Sequence, residues 1–426
     1  MRLLWFVSLL VATPASADIP SLESQEPDEP WRERVVEPVA EESAPRPGAE
    51  SGRADRTTPR DGVARIIGRG LLWFPKTALQ LAAAPLRGAF YLHGRRGDRV
   101  ETSAGPEKFS YTPNALVQSN AGLHVGVQAR LDDLLGRDER FSLRAGLGGE
   151  IHRLAELSTE LDKRVVSGGI TAGFEQRYRE RFFGYGNTDD PRTTYHHERL
   201  QLAPHLTVRP LEQFAVTARV ALIHDETSAE QALDVAGFGE REAVASELAL
   251  SWDTRRAAHA YDAVAMYGGG GAIAVFVGRS DGAVDFYRAG VDARRYLTLA
   301  RGPRAIELRG HVEWVSGSRD EIPFLDLPRL GGRQLLRGYD RDRFRDKVAA
   351  VAQVSYVFAL SRFLAASIFT DVGRVHAGLD ELSYRDQRVG FGGALELYNR
   401  KAMMIRGELA SSIDGGLFMS LAFDPR

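Results

Sequence analysis

From about Phe109 to the carboxyl end, apolar and polar side chains alternate one for one. In IELRGHVEW, Ile306, Leu308, Val312 and Trp314 fall on one face, and Glu307, Arg309, His311 and Glu313 on the other. FAVTARVALI sets Phe214, Val216, Ala218, Val220 and Leu222 against Thr217 and Arg219, and FSLRAGL opposes Phe141, Leu143, Ala145 and Leu147 to Ser142 and Arg144. Leu417, Met419, Leu421 and Phe423 carry the pattern to the end. A period of two means extended strands with one apolar and one wet face.

Fifteen such segments can be marked, ten before residue 320 and five after Lys347. A soluble β-sandwich produces the same alternation. Two features favour a membrane barrel instead. Many segments reach about ten residues or more, the length that crosses a bilayer with tilt. Their polar faces carry full charges, which suits a water-filled lumen. The expectation is an all-β protein, a transmembrane antiparallel β-barrel over residues 105–426. Bacterial single-chain barrels close with an even number of strands. About 16 are therefore expected, the missing one lying before residue 320.

The residues ahead of the barrel read differently. Met1-Arg2, an apolar run from Leu3 to Ala12 and Ala15-Ser16-Ala17 form a secretory signal peptide over 1–17. Residues 18–60 hold seven prolines, many Glu and Arg and few large apolar side chains, the composition of a disordered linker. Residues 61–99 are basic, with apolar groups at helix-like spacing interrupted by Pro75 and Pro85. This kinked amphipathic helical segment has two open readings. It lies on an anionic membrane surface with Trp73, Phe74 and Tyr91 as interface anchors, or it packs against or inside the barrel.

Composition adds two constraints. With no cysteine in 426 residues, neither disulfides nor a lipid-modified amino terminus is expected. Mean hydropathy is only −0.26, in keeping with strands of which alternate residues alone meet lipid.

The connection between residues 317 and 347 is long for a barrel, and length of that kind suggests a role. It contains GGRQLLRGYDRDRFRD, in which Asp340, Asp342 and Asp346 interleave with the arginines. The aspartates dilute the field that a nucleic acid would need, and the chain has no G-x-x-x-x-G-K-[ST] phosphate loop. LLRGYD at 335–340 and FTDVGRV at 369–375, in that order and about thirty residues apart, resemble the paired motifs of the BamA/TamA superfamily of outer-membrane barrels, the bacterial surface antigen family. FFGYGN at 182–187, SWDTRR at 251–256 and VGFGGALEL at 389–397 extend the resemblance over roughly 109–426.

The resemblance implies that the loop folds back into the lumen and that Arg337 pairs with Asp371. Gly338 then allows close approach or a positive φ, Tyr339 wedges the tip against the wall, and Gly373 leaves room beside Asp371. Where the family often carries an acidic partner on the next strand, this chain has Gln353, a candidate additional lock partner. The resemblance further implies a Gram-negative outer membrane and a role in protein insertion, export or lipid handling. Its partners would be outer-membrane lipid, unfolded outer-membrane or secreted proteins, and the barrel-assembly machinery for its own insertion. The alternative is a passive channel or structural barrel without a client. The POTRA modules that capture clients in such proteins find no room before residue 109, so client capture is not carried over. No catalytic, cofactor-binding or metal-binding set stands out. The expectation is a non-enzyme without cofactors and without nucleic-acid partners.

Overall fold

The structure, a computed structural model, describes residues 109–423 apart from positions 120, 138, 150–152, 163–164, 188–192, 232, 256–268, 300–303, 362–363 and 399–402. The signal peptide, linker and helical segment, with Trp73, Phe74 and Tyr91, lie outside the described residues.

Among the described residues, eighteen strands run in chain order: β1 Phe109–Gln118, β2 Gly122–Asp132, β3 Glu139–Gly148, β4 Arg153–Asp162, β5 Val166–Phe182, β6 Thr193–Leu211, β7 Phe214–Ser228, β8 Glu240–Asp253, β9 Gly270–Gly282, β10 Phe286–Thr298, β11 Arg304–Val315, β12 Arg329–Leu330, β13 Phe344–Arg345, β14 Val348–Ser361, β15 Leu364–His376, β16 Arg388–Tyr398, β17 Met403–Ser412 and β18 Leu417–Phe423. Sixteen of them pair with their neighbours into a closed barrel, every pairing antiparallel, and β12 and β13 form a separate two-stranded ribbon in the loop between β11 and β14.

The strand overlooked in the sequence is β4. Its RLAELSTELD places Leu154, Leu157 and Leu161 at helical spacing, and only two of these leucines share a side of the strand. Leu157 and Leu161 are exposed on the outer face, whereas Leu154 sits on the alternate, inner face with Glu156. A strand was also expected over 262–277; β9 begins at Gly270.

Burial follows the alternation. Leu200, Leu222, Val244, Leu248, Val277 and Ile368 are exposed on the outside, while Asp225, Asp292, Asp371 and Glu396 are buried within. Carboxylates enclosed by apolar side chains facing outward form the inverse of a soluble protein, and the arrangement a lipid-bathed wall requires. The wall is uneven. β5 and β6 are 17 and 19 residues long, well beyond the ~9–11 needed for a bilayer, whereas β18 has 7. The closing seam between β1 and β18 has four register pairs, Ala115 with Phe423 through Gln118 with Ser420. β1 and β2 share ten, from Phe109 with Leu131 to Gln118 with Gly122.

Candidate functional site: a loop tethered inside the barrel

The connection between β11 and β14 turns back into the barrel. The pairing of β12 with β13 stiffens it, and Leu330, Leu336, Tyr339 and Phe344 pack as one buried cluster against Ala349, Val351 and Val375 of the wall. Burial of apolar side chains at about 25 cal/mol per Å² gives the loop a reason to enter. Its charged groups then need partners.

Arg337 finds its partner in Asp371 of β15. The backbone N–H of Arg337 donates to Asp371 Oδ2 at 2.8 Å, Nε donates to the same oxygen at 2.8 Å, and Nη2 donates to Oδ1 at 2.6 Å. Asp371 is 0% exposed and Arg337 8%. The guanidinium also lies 3.6 Å from the ring centroid of Phe369, two residues before Asp371. A planar fork suits this slot, because two parallel N–H groups meet the carboxylate while the flat face meets the ring.

The loop backbone presses on β16 and β17. Gly338 has φ +89°, and a Cβ there would sit 2.1 Å from Ser411 O. At Gly390 a Cβ would lie 1.7 Å from Arg337 O. Gly390 was not singled out from the sequence, although it belongs to the glycine-rich VGFGGALEL. Tyr339 donates from its hydroxyl to Asp414 Oδ2 at 2.9 Å and meets Phe344 edge-on at 5.1 Å. Burial, reinforced by the Asp414 carboxylate, pushes this hydroxyl up to about 12.

One expected detail is corrected. Gln353 accepts a hydrogen bond from Arg309 Nη1 at 3.2 Å and is not joined to Arg337. The reason is register: Gln353 stands opposite Arg309 on β11 as well as Asp371 on β15. Arg309 is itself a second tether that sequence reasoning missed. Its Nη1 donates to Gln334 O of the loop at 2.9 Å, while Nε and Nη2 bind Asp292 Oδ2 at 3.1 and 2.5 Å. Gly373 follows Asp371 by two residues on the same face of β15, and a Cβ there would stand 2.9 Å from Ala350 O and 3.1 Å from Val351 of β14.

The loop aspartates each meet an arginine, Asp340 on the wall and Asp342 and Asp346 within the loop itself. Asp340 accepts from Arg181 at 2.8 Å, Asp342 from Arg329 at 2.9 Å, and Asp346 lies 3.6 Å from Arg319. Arg345, 1% exposed, donates to Phe324 O at 2.6 Å with its guanidinium 5.2 Å from the Phe324 centroid.

FFGYGN, at the end of β5, crosses to the far wall over this assembly. Gly186 N donates to Arg345 O at 2.7 Å. Asn187 then copies a strand with its side chain: Nδ2 donates to Val375 O at 2.8 Å, and Oδ1 accepts from Val375 N at 3.2 Å. Arg388 Nη2 donates to Asn187 O at 2.5 Å. The β5 end, the loop and the β15–β16 wall are thus joined across the mouth.

A closed sixteen-stranded antiparallel barrel with an apolar exterior, an ionic interior and a tethered in-folded loop defines an outer-membrane β-barrel. The Omp85 superfamily domain matches residues 133–399, and the chain belongs to that superfamily. BamA from Haemophilus ducreyi lacking POTRA domains 1-3 is similar in fold, with TM-score 0.58, 14% identity and coverage of 75% of this chain and 70% of that one. CdiB from Acinetobacter baumannii has TM-score 0.57 and 12% identity, covering 75% of this chain and 60% of that one. CdiB from Escherichia coli has TM-score 0.54 and 12% identity, covering 76% and 64%. The chain therefore spans less than two thirds of either CdiB structure. No curated protein matches it.

Proposed function

We propose that this barrel acts in protein insertion, export or lipid handling in the outer membrane of a Gram-negative bacterium, with the LRGY loop as its gate. Unfolded outer-membrane or secreted polypeptides are its clients, outer-membrane lipid its surroundings, and barrel-assembly machinery the means of its own insertion. It works without covalent catalysis. The observation that carries this reading is the Arg337–Asp371 tether, which holds a long loop inside the lumen beside a seam of four register pairs. Far fewer backbone hydrogen bonds need to break at that seam than at any ten-residue pairing, so the wall opens there first. A barrel meant only to stay shut or to conduct has no use for so short a closure.

The test uses the absence of native cysteine. Leu116→Cys with Ala422→Cys places a pair at opposed positions of the seam, within the Cα separation a disulfide spans. Reconstituted in liposomes, the reduced protein is expected to accelerate folding of an added unfolded outer-membrane barrel protein, and the oxidised protein to lose that effect. Equal acceleration in both states sinks seam opening. No acceleration in either, together with steady conductance in planar bilayers, favours a passive channel.

A further inference from the structure

At two places on the inner wall, hydroxyls that face each other across neighbouring strands bond directly. Ser142 Oγ and Ser158 Oγ lie 2.5 Å apart on β3 and β4, and Thr207 Oγ1 and Thr217 Oγ1 lie 2.9 Å apart on β6 and β7. A third polar row does not close in this way. Glu408 of β17, Ser420 of β18 and Gln118 of β1 stand opposite one another in register, the last two across the seam. Ser420 is 7% exposed, and its hydroxyl has no hydrogen-bond partner among the described residues. The Gln118 side-chain amide makes no hydrogen bond among them either. Both bonds from Arg406 to Glu408 end on Oε2, at 3.3 and 2.7 Å, which leaves Oε1 as an acceptor. Leaving a buried hydroxyl unmet is costly, and side chains held about 5 Å apart at Cβ are spaced for a group that bridges them.

A cavity of about 430 Å³ lies over this row, between the seam and the docked loop, a size that suits a small ligand. Tyr339 of the loop and Glu180 at the end of β5 also line it. Phe418, two residues before Ser420 on the same face of β18, adds an aromatic ring. Of the arginines that line the cavity, Arg337 is held by Asp371, Arg181 by Asp340, and Arg341 lies 3.8 Å from Glu180. Charges answered in this way favour an uncharged ligand over an ion. A carboxylate, a hydroxyl and an amide in one row accept and donate together, which suits a ligand whose own hydroxyls do both. The negative face of an aromatic ring suits the C–H side of a sugar.

We propose that this cavity binds an uncharged pyranose sugar, its hydroxyls bonded to Glu408, Ser420 and Gln118 and its ring beside Phe418. Gln118 belongs to β1 and the other two to β17 and β18, so a bound sugar bridges the seam. The proposal concerns binding at the mouth and does not rest on the loop acting as a gate. The sugar comes free from solution or as the headgroup of a glycolipid, and the experiment separates the two. The full chain is placed in phosphatidylcholine nanodiscs, free of sugar detergents. Saturation-transfer-difference NMR is then recorded with the methyl glycosides of glucose, galactose, mannose and N-acetylglucosamine. Saturable binding of at least one is expected. Ser420→Ala and Gln118→Ala should each weaken it by about fivefold or more, the size of a lost hydrogen bond. Neither removed side chain is bonded within the described residues, so both variants should fold, which heat-modifiable migration checks. Arg385→Gln, outside the cavity, should leave binding unchanged. In a second arm, the nanodiscs carry a diacylglycerol glycolipid bearing the sugar that bound best. Loss of the methyl glycoside signal there makes the lipid headgroup the source, and an unchanged signal makes free sugar the source; both support the site. Absence of saturable binding to any of the glycosides, or wild-type affinity in both folded variants, leaves the row to water and overturns the proposal.

Discussion

Replacing Arg337 with alanine removes two side-chain donors from Asp371 and leaves one, the backbone N–H of residue 337. Asp371 is fully buried, so water does not take over from the guanidinium. Breaking a buried ion pair from one side costs about 3–5 kcal/mol, because the surviving charge stays desolvated. The retained backbone donor pulls toward the lower figure, and loss of the contact with Phe369 pulls toward the higher one. At about 1.4 kcal/mol per power of ten, the folded-to-unfolded ratio should fall by roughly two to three and a half powers of ten. The assay is urea unfolding in detergent, read by heat-modifiable migration, across a double-mutant cycle of Arg337→Ala, Asp371→Ala and both together. Each single variant should lose close to the full amount and the double variant much less than their sum, since neither charge then remains unanswered. Arg337→Lys should fall between, keeping the charge but not the fork. Single variants no less stable than Arg385→Ala, or additive losses in the cycle, refute the reasoning.

Other perturbations reach the same assembly from different sides. Gly390→Ala inserts a methyl where a Cβ would be 1.7 Å from Arg337 O; the loop cannot stay seated, and limited proteolysis should cut within 331–346 where the wild type resists. Asn187→Ala deletes both bonds to Val375 and should loosen the mouth by about 1–3 kcal/mol, seen as more frequent openings in planar bilayers. The Tyr339 hydroxyl titrates near 12 in the folded protein against about 10 in an unfolded chain. Its contribution is thus complete below pH 10 and lost as pH rises from 10 through 12. Tyr339→Phe should remove that alkaline decline in unfolding experiments, and an unchanged decline would assign it elsewhere.

Much of the barrel was legible because the period of two is imposed on nearly every strand by lipid outside and water inside. β4 escaped because Leu154 breaks that division of labour and lends its neighbours a helical spacing. The tether was legible only in part. Arg337 and Asp371 belong to local motifs with recognisable surroundings. The remaining contacts are set by which strands the closed wall brings together: Asn187 and Val375 are 188 residues apart in sequence, and Arg309 and Gln353 are 44. Gln353 was assigned to the wrong arginine for this reason. A strand residue has neighbours on two sides, and only the register of both pairings says which one its side chain meets. Gly390 was hidden by the same fact, since the atom that forbids its side chain belongs to a loop more than fifty residues earlier.

The Arg337–Asp371 pair is the central hold on the loop inside the lumen, and its direct measurement is an electron cryomicroscopy map of the full chain in lipid nanodiscs. Continuous density should join the Arg337 guanidinium to the Asp371 carboxylate, with both side-chain contacts near the 2.6 and 2.8 Å seen here. A loop resting outside the barrel, with those two side chains apart, would contradict it.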